Sequence, residues 1–169
     1  MARRPEQTLE LLDRLAGTWR TVATHPAVPG VIIQGIAHVS WLEGFKFLLH
    51  RANCDHPDFP DSLSVIGFTA HDRAGGGGDD GDETSDEDPA QLTQHYYDSR
   101  GVFRAFTATI DEMAWRFSRL APGFSQRFTG TFEDDYNTIV GISELCTDDV
   151  TWNRDLAITY QRERKPLGE

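Results

Sequence analysis

Six polar side chains interrupt runs of this chain that otherwise alternate apolar residues: His95, Tyr97, Arg104, Gln126, Ser143 and Arg154. An arginine on the apolar side of a strand needs a partner, because burying an unpaired guanidinium is strongly unfavourable. Arg104 and Arg154 therefore meet either a carbonyl or carboxylate of the chain, or the carboxylate, phosphate or enolate of a ligand. His95 and Tyr97 are of a type that moves protons as acid or base. Cys54-Asp55-His56 has the composition of a nucleophile cluster. It leads into the Pro-rich stretch Pro57-Asp58-Phe59-Pro60, and adjacent residues rarely form a catalytic pair. Other signatures are missing. The glycines Gly75 to Gly78 run into acids rather than a Lys-bearing helix, and there is no G-x-S-x-G. Cys54 and Cys146 lack metal-type spacing. They read as free thiols of a reducing compartment, with no metal site.

The elements that position these residues are legible from periodicity. Leu9, Leu11, Leu12 and Leu15 give one face of a short helix over Glu6–Leu15, ended by Gly17. Ten short runs rich in β-branched and aromatic residues follow: Thr18–His25, Val31–Leu42, Phe45–Ala52, Ser62–Asp72, Leu92–Tyr97, Val102–Ile110, Met113–Leu120, Phe124–Glu133, Thr138–Thr147 and Val150–Gln161. Tight turns such as Glu43-Gly44, Asp111-Glu112 and Asp148-Asp149 make consecutive strands antiparallel neighbours. Ten such strands curl and close. The expected fold class is all-β, a closed antiparallel up-and-down barrel with a short N-terminal helix, in one domain spanning residues 1–169.

Turn lengths fix register, and register fixes faces. A two-residue turn at Asp111-Glu112 puts Val102, Arg104, Phe106, Met113, Trp115 and Phe117 on the interior face. Carrying the count through Asp98–Gly101 adds Tyr97 and His95. The Asp148-Asp149 turn sets Leu145 against Trp152 and sends Arg154, Leu156, Ile158 and Tyr160 inward. The Asp135-Tyr136 turn adds Ser143, Gly141, Ile139, Phe132, Gly130, Phe128 and Gln126. On the second and third strands both faces are mixed, so His38 and His50 are equal candidates for the inward histidine.

Charge narrows the partners. The formal net charge is −11. Seven of the 27 acids lie in the Gly-rich segment 74–91, AGGGGDDGDETSDEDPAQ, which contains no Lys, Arg or large apolar residue. Such a segment cannot repay its ordering entropy and is expected to be a disordered loop. Setting it aside leaves 20 acids against 16 Lys and Arg, a balance of −4. No basic stripe for nucleic acid or an anionic membrane follows. The N-terminus has no apolar run after Arg3-Arg4, so it does not read as a signal peptide. No window is apolar enough for a membrane span. A cytoplasmic location is expected. The oligomeric state is open, a homodimer included.

Leu15-Ala16-Gly17-Thr18-Trp19, closing a short helix and opening the first strand, resembles the G-x-W start of the calycin barrels. Val65-Ile66-Gly67-Phe68, Tyr97-Asp98-Ser99-Arg100-Gly101-Val102-Phe103-Arg104, Phe128-Thr129-Gly130-Thr131-Phe132, Ile139-Val140-Gly141 and Trp152 to Tyr160 follow in order. The series is similar to small bacterial lipocalin-like and fatty-acid-binding-protein-like barrels of uncharacterised function, and more distantly to nitrobindin-like haem barrels. The resemblance implies that Trp19 packs the barrel floor and that the interior holds a small molecule. Two departures argue against haem. Arg20-Thr21-Val22-Ala23 stands where nitrobindin-like proteins carry alternating glycines, and no His follows His95, where they place the iron ligand near the C-terminus. No cofactor is expected.

The leading expectation is a small-molecule binder whose apolar or aromatic, optionally anionic, ligand lies inside the barrel. Trp19, His95, Tyr97, Arg104, Trp115, Gln126 and Arg154 are the candidate contacts. The alternative is a cyclase or isomerase acting on a polyketide-like substrate, with His95 or Tyr97 as acid or base. A third is a protein-interaction module using the acidic segment.

Overall fold

A computed structural model describes residues 4–69 and 91–164. The acidic segment 74–91, apart from Gln91, lies outside the described residues. One helix, α1 (Pro5–Leu12), is extended by a 3-10 turn (Asp13–Leu15). Ten strands follow: β1 (Gly17–Thr24), β2 (Ile33–Trp41), β3 (Phe47–Cys54), β4 (Ser62–Thr69), β5 (Gln91–Asp98), β6 (Phe103–Ile110), β7 (Ala114–Arg119), β8 (Ser125–Glu133), β9 (Thr138–Cys146) and β10 (Asn153–Arg162). Each strand pairs antiparallel with its sequence neighbours, and β1 pairs with β10 to close the barrel. None of the described helices is long and apolar enough to cross a membrane.

α1 starts where Pro5 occupies the first turn, a position that needs no N–H. The Gln7 side chain accepts the Arg4 backbone N–H. The helix buries Leu11 and Leu12, and the 3-10 turn adds Leu15. These leucines plug one end of the barrel over Trp19, which is 1% exposed. The Trp19 indole N–H donates to the Leu15 carbonyl at 2.8 Å. The Arg162 guanidinium lies 4.1 Å over the Trp19 ring and donates to the Ala16, Arg14 and Tyr136 carbonyls. Leu48, Ile66 and Ile139 complete the packed floor. The loops β1–β2, β3–β4, β5–β6, β7–β8 and β9–β10 gather at the opposite end and form the mouth.

Two local features decide which side chains face in. The β5–β6 hairpin pairs Tyr97 with Phe103 and Tyr96 with Arg104. Asp98 and Val102 close a loop of three residues, Ser99, Arg100 and Gly101, with Gly101 at φ 82°. This is the odd-length hairpin that needs a left-handed residue in its last position. Counting through four loop residues instead of three reverses the face of β5. Gln94 and Tyr96 therefore face in, while His95 and Tyr97 face out and pack against the outward Phe103. On β10, the ladder to β9 slips between Arg154 and Ala157, so one extra residue is accommodated. A bulge of this kind reverses the faces across it. Leu145 pairs with Asn153 rather than with Trp152, so Arg154 pairs with Glu144 and is exposed, and Trp152 lies under Arg127 on the outer wall. Beyond the bulge, Ile158 and Tyr160 face in as expected.

The β6–β7 turn is longer than two residues: Ile110 pairs with Trp115, and Asp111 accepts the Met113 and Ala114 N–H groups. The shift is even, so Arg104, Phe106, Trp115 and Phe117 keep their inward face. Met113 sits in the turn itself and is exposed.

Candidate functional site

Above the packed floor the barrel encloses a cavity of about 630 Å³, within the range of small-molecule sites. Its wall is largely aromatic and aliphatic: Phe106, Trp115, Phe117, Phe128, Leu156 and Ile158. Trp115, Phe117 and Phe128 pack as a continuous set, with Phe117 and Phe128 stacked at 4.8 Å. Phe128 can lie flat against the wall because Gly141, diagonal to it on β9 and paired with Gly130, has no side chain. A Cβ at Gly141 would stand 2.7 Å from its ring.

The polar groups divide between the mouth and the interior. At the mouth, Arg104 Nη1 donates to Gln126 Oε1 at 2.8 Å, with the guanidinium 4.8 Å over the Phe124 ring. Arg104 has no carboxylate partner among the described residues. Its neighbours differ: Asp98 holds Arg100 at 2.7 Å, and Asp155 holds His25 at 2.7 Å. The Tyr96 hydroxyl donates to Asp98 at 3.0 Å. Burial, with this bond second, pushes the Tyr96 phenol up to about 12. The Arg100 hydrogen bond, ahead of the opposing cost of burial, keeps the Asp98 carboxyl well below the usual carboxylate range. Phe59 closes over this rim with its ring edge on His25, 5.1 Å away.

Deeper in the barrel, three side chains that line the cavity carry buried polar atoms with no partner among the described residues: His50 Nε2, Gln94 Oε1 and Trp115 Nε1. His50 and Trp115 are neighbours, with ring centroids 5.9 Å apart, and His50 is 6.0 Å from Tyr160. Gln94 Nε2 donates to Ser64 Oγ at 3.3 Å, and Ser64 pairs with His50 across β3 and β4. Burial lowers the His50 pKa to about 4, against a smaller opposing effect of a hydrogen bond to its own backbone. The imidazole is therefore neutral at pH 7. Nε2 has no partner among the described residues, and in the neutral ring it carries either the proton or a lone pair. Burial also pushes the Tyr160 phenol up.

Of the seven candidate contacts, Arg104, Trp115 and Gln126 line the cavity together. Trp19 is in the floor beneath it, bonded to Leu15. His95, Tyr97 and Arg154 lie on the outer wall. Tyr97 borders an open external groove of about 410 Å³ with His38 and Arg51. Of the two open histidines, His50 faces in, while His38 shares a 3.1 Å hydrogen bond with Thr18 on the outside. Sequence reasoning missed Gln94 and Tyr96 through the miscounted loop. It left His50 open although Ala37, Val39, Trp41 and Leu48 make its face the more apolar one. The Cys54 thiol donates to the His56 and Phe59 carbonyls at 3.7 Å, and the His56 ring accepts the Asp58 N–H instead. The three residues form no nucleophile–base pair. No group of three or more His, Cys, Asp or Glu suited to a metal stands together among the described residues, and β10 brings no histidine to the cavity.

No protein-family model matches the sequence, and no curated protein matches it. Solved structures do. The chain is similar to Rv2717c from M. tuberculosis, with a TM-score of 0.58 and 11% identity over 93% of this chain and 98% of that one. It also aligns with an S-type phycobiliprotein lyase, CPES from Guillardia theta, at a TM-score of 0.49 and 10% identity over 97% and 99% of the two chains. The likeness to Rv2717c is one of fold.

Proposed function

We propose that the barrel binds one small molecule of aromatic or apolar character, with an anionic end held at the mouth by Arg104 and Gln126. The observation that carries this reading is the cavity of about 630 Å³, walled by Phe106, Phe117, Phe128 and Ile158, with a cation at its rim that no described carboxylate neutralises. A guanidinium already oriented by Gln126 and Phe124 presents its remaining N–H donors to a carboxylate or sulfonate in a fixed geometry. The isomerase reading loses the acid and base it named, because His95 and Tyr97 are on the other side of the wall. His50, the histidine that is inside, is a weak base at a pKa of about 4.

Calorimetric titration with naphthalene-2-sulfonate tests the reading. Saturable binding of one molecule per chain is expected. Arg104→Met should weaken it by about tenfold or more, the worth of a charge-assisted hydrogen bond, with the melting temperature held or raised. An absence of saturation, or equal affinity in the variant, would contradict it.

A further inference from the structure

The deep end of the cavity has a hydrogen-bonding pattern of its own, separate from the cation at the mouth. Three elements supply it: His50 from β3, Gln94 from β5 and Trp115 from β7. A buried polar atom left without a partner is costly, and a polar group without protein partners in a cavity wall marks a place where a ligand supplies them. What each atom needs is fixed by its chemistry. The indole N–H of Trp115 can only donate. His50 Nε2 accepts with the ring proton on Nδ1 and donates with the proton on Nε2. The free end of the Gln94 amide accepts as oriented and donates if the amide is turned over, with Ser64 able to serve either orientation.

We propose that the buried tip of the ligand is a neutral group bearing a hydrogen-bond donor and an acceptor together, a carboxamide or a hydroxyl, read by His50, Gln94 and Trp115. This rests on the barrel being a small-molecule site and adds the chemical class of the ligand's inner end. A carboxylate fails at this position. Its charge would be buried among neutral groups, with no cation among His50, Gln94 and Trp115. A bare hydrocarbon tip also fails, since it leaves the same atoms unpaired. The ligand is thus polar at both ends and apolar between: anionic at Arg104, near the mouth end of β6, and neutral at His50, four residues into β3 from Cys54. The wall between them is the Phe106, Phe117 and Phe128 set.

Four naphthalene-2-sulfonates separate the possibilities: the parent and its 6-carbamoyl, 6-hydroxy and 6-carboxy derivatives, titrated calorimetrically. The carbamoyl or the hydroxy compound should bind about tenfold more tightly than the parent, the worth of one to two buried hydrogen bonds. Whichever of the two is tighter identifies the tip. The carboxy compound, the same shape as the carbamoyl one, should bind more weakly than the parent. Trp115→Phe keeps an aromatic ring and removes the N–H. It should reduce the ratio of carbamoyl or hydroxy to parent affinity to less than about threefold. Gln94→Leu gives a second, independent reduction should Trp115→Phe fold poorly. If the parent binds and all three derivatives bind no better, or the carboxy compound binds best, the inference about the tip is wrong while the barrel remains a binding site. If neither the parent nor any derivative binds, both readings fall.

Discussion

Trp19 and Trp115 are both almost fully buried, at 1% and 2% exposure, yet their surroundings differ in kind. Trp19 belongs to the plugged end. Its N–H is bonded to Leu15, its ring is covered by Arg162, and the edge of Tyr160 meets it at 6.3 Å. Trp115 belongs to the cavity end, where its N–H has no partner and its neighbour His50 is in the same condition. Even Arg162, a cation in a half-buried setting, is spent on three backbone carbonyls of the floor. The floor is not uniformly satisfied, since Arg14 Nη1 is unpaired, but that guanidinium lies 4.0 Å over the Tyr136 ring. One end of the barrel has its polar groups committed to holding the fold. The other has them lining a space large enough for a ligand.

The largest effect that sharpens this contrast is at the floor. Trp19→Ala should destabilise the protein by about 3–5 kcal/mol, the usual result of truncating a fully buried aromatic. Chemical denaturation measures it. A loss below about 1 kcal/mol would mean that the floor is not a packed core.

The next effect lies at the cavity end and depends on pH. The His50 pKa is lowered from 6.5 to about 4 in the folded state, so the unfolded chain binds more protons between those values. Stability from this group is complete above pH 6.5 and is lost as the pH falls towards 4, by about 3 kcal/mol in all. Asp98, whose carboxyl is also held low, acts in a more acidic window. The difference between wild type and His50→Phe isolates the histidine. Wild type should lose stability relative to the variant across pH 6.5 to 4, as read from denaturant midpoints. Parallel profiles would show that His50 protonates freely, and that the deep end is wet rather than dry.

The strand sequence and closure of the barrel were legible because tight turns leave consecutive β runs only one way to pair. Inner and outer faces were legible only as far as the loops were counted correctly. β8 and β9 flank a four-residue turn, Asp134 to Asn137, whose even length preserves the face, and Gln126, Phe128 and Ser143 all fall inside. β5 follows an odd loop, and one residue exchanges Gln94 and Tyr96 for His95 and Tyr97. The β9–β10 connection does the same to Arg154, since Leu145 pairs with Asn153, and the bulge that follows restores the inward face of Ile158 and Tyr160. Nothing in the composition of Asn153-Arg154-Asp155-Leu156 marks that bulge. Three of the seven candidates, His95, Tyr97 and Arg154, were therefore lost to parity, which composition does not carry. Arg104, Trp115 and Gln126 kept their inward faces because the observed turns beside them are longer than the counted ones by two residues, an even shift.

The central claim is that the interior space holds a small molecule, and native mass spectrometry of the protein isolated from its own host tests it most directly. Wild type should carry an additional mass of one small molecule that is released on denaturation. Ser143→Trp, which places an indole in the cavity from β9, should be purified without it. Bare protein of the same unliganded mass in both samples would contradict the account.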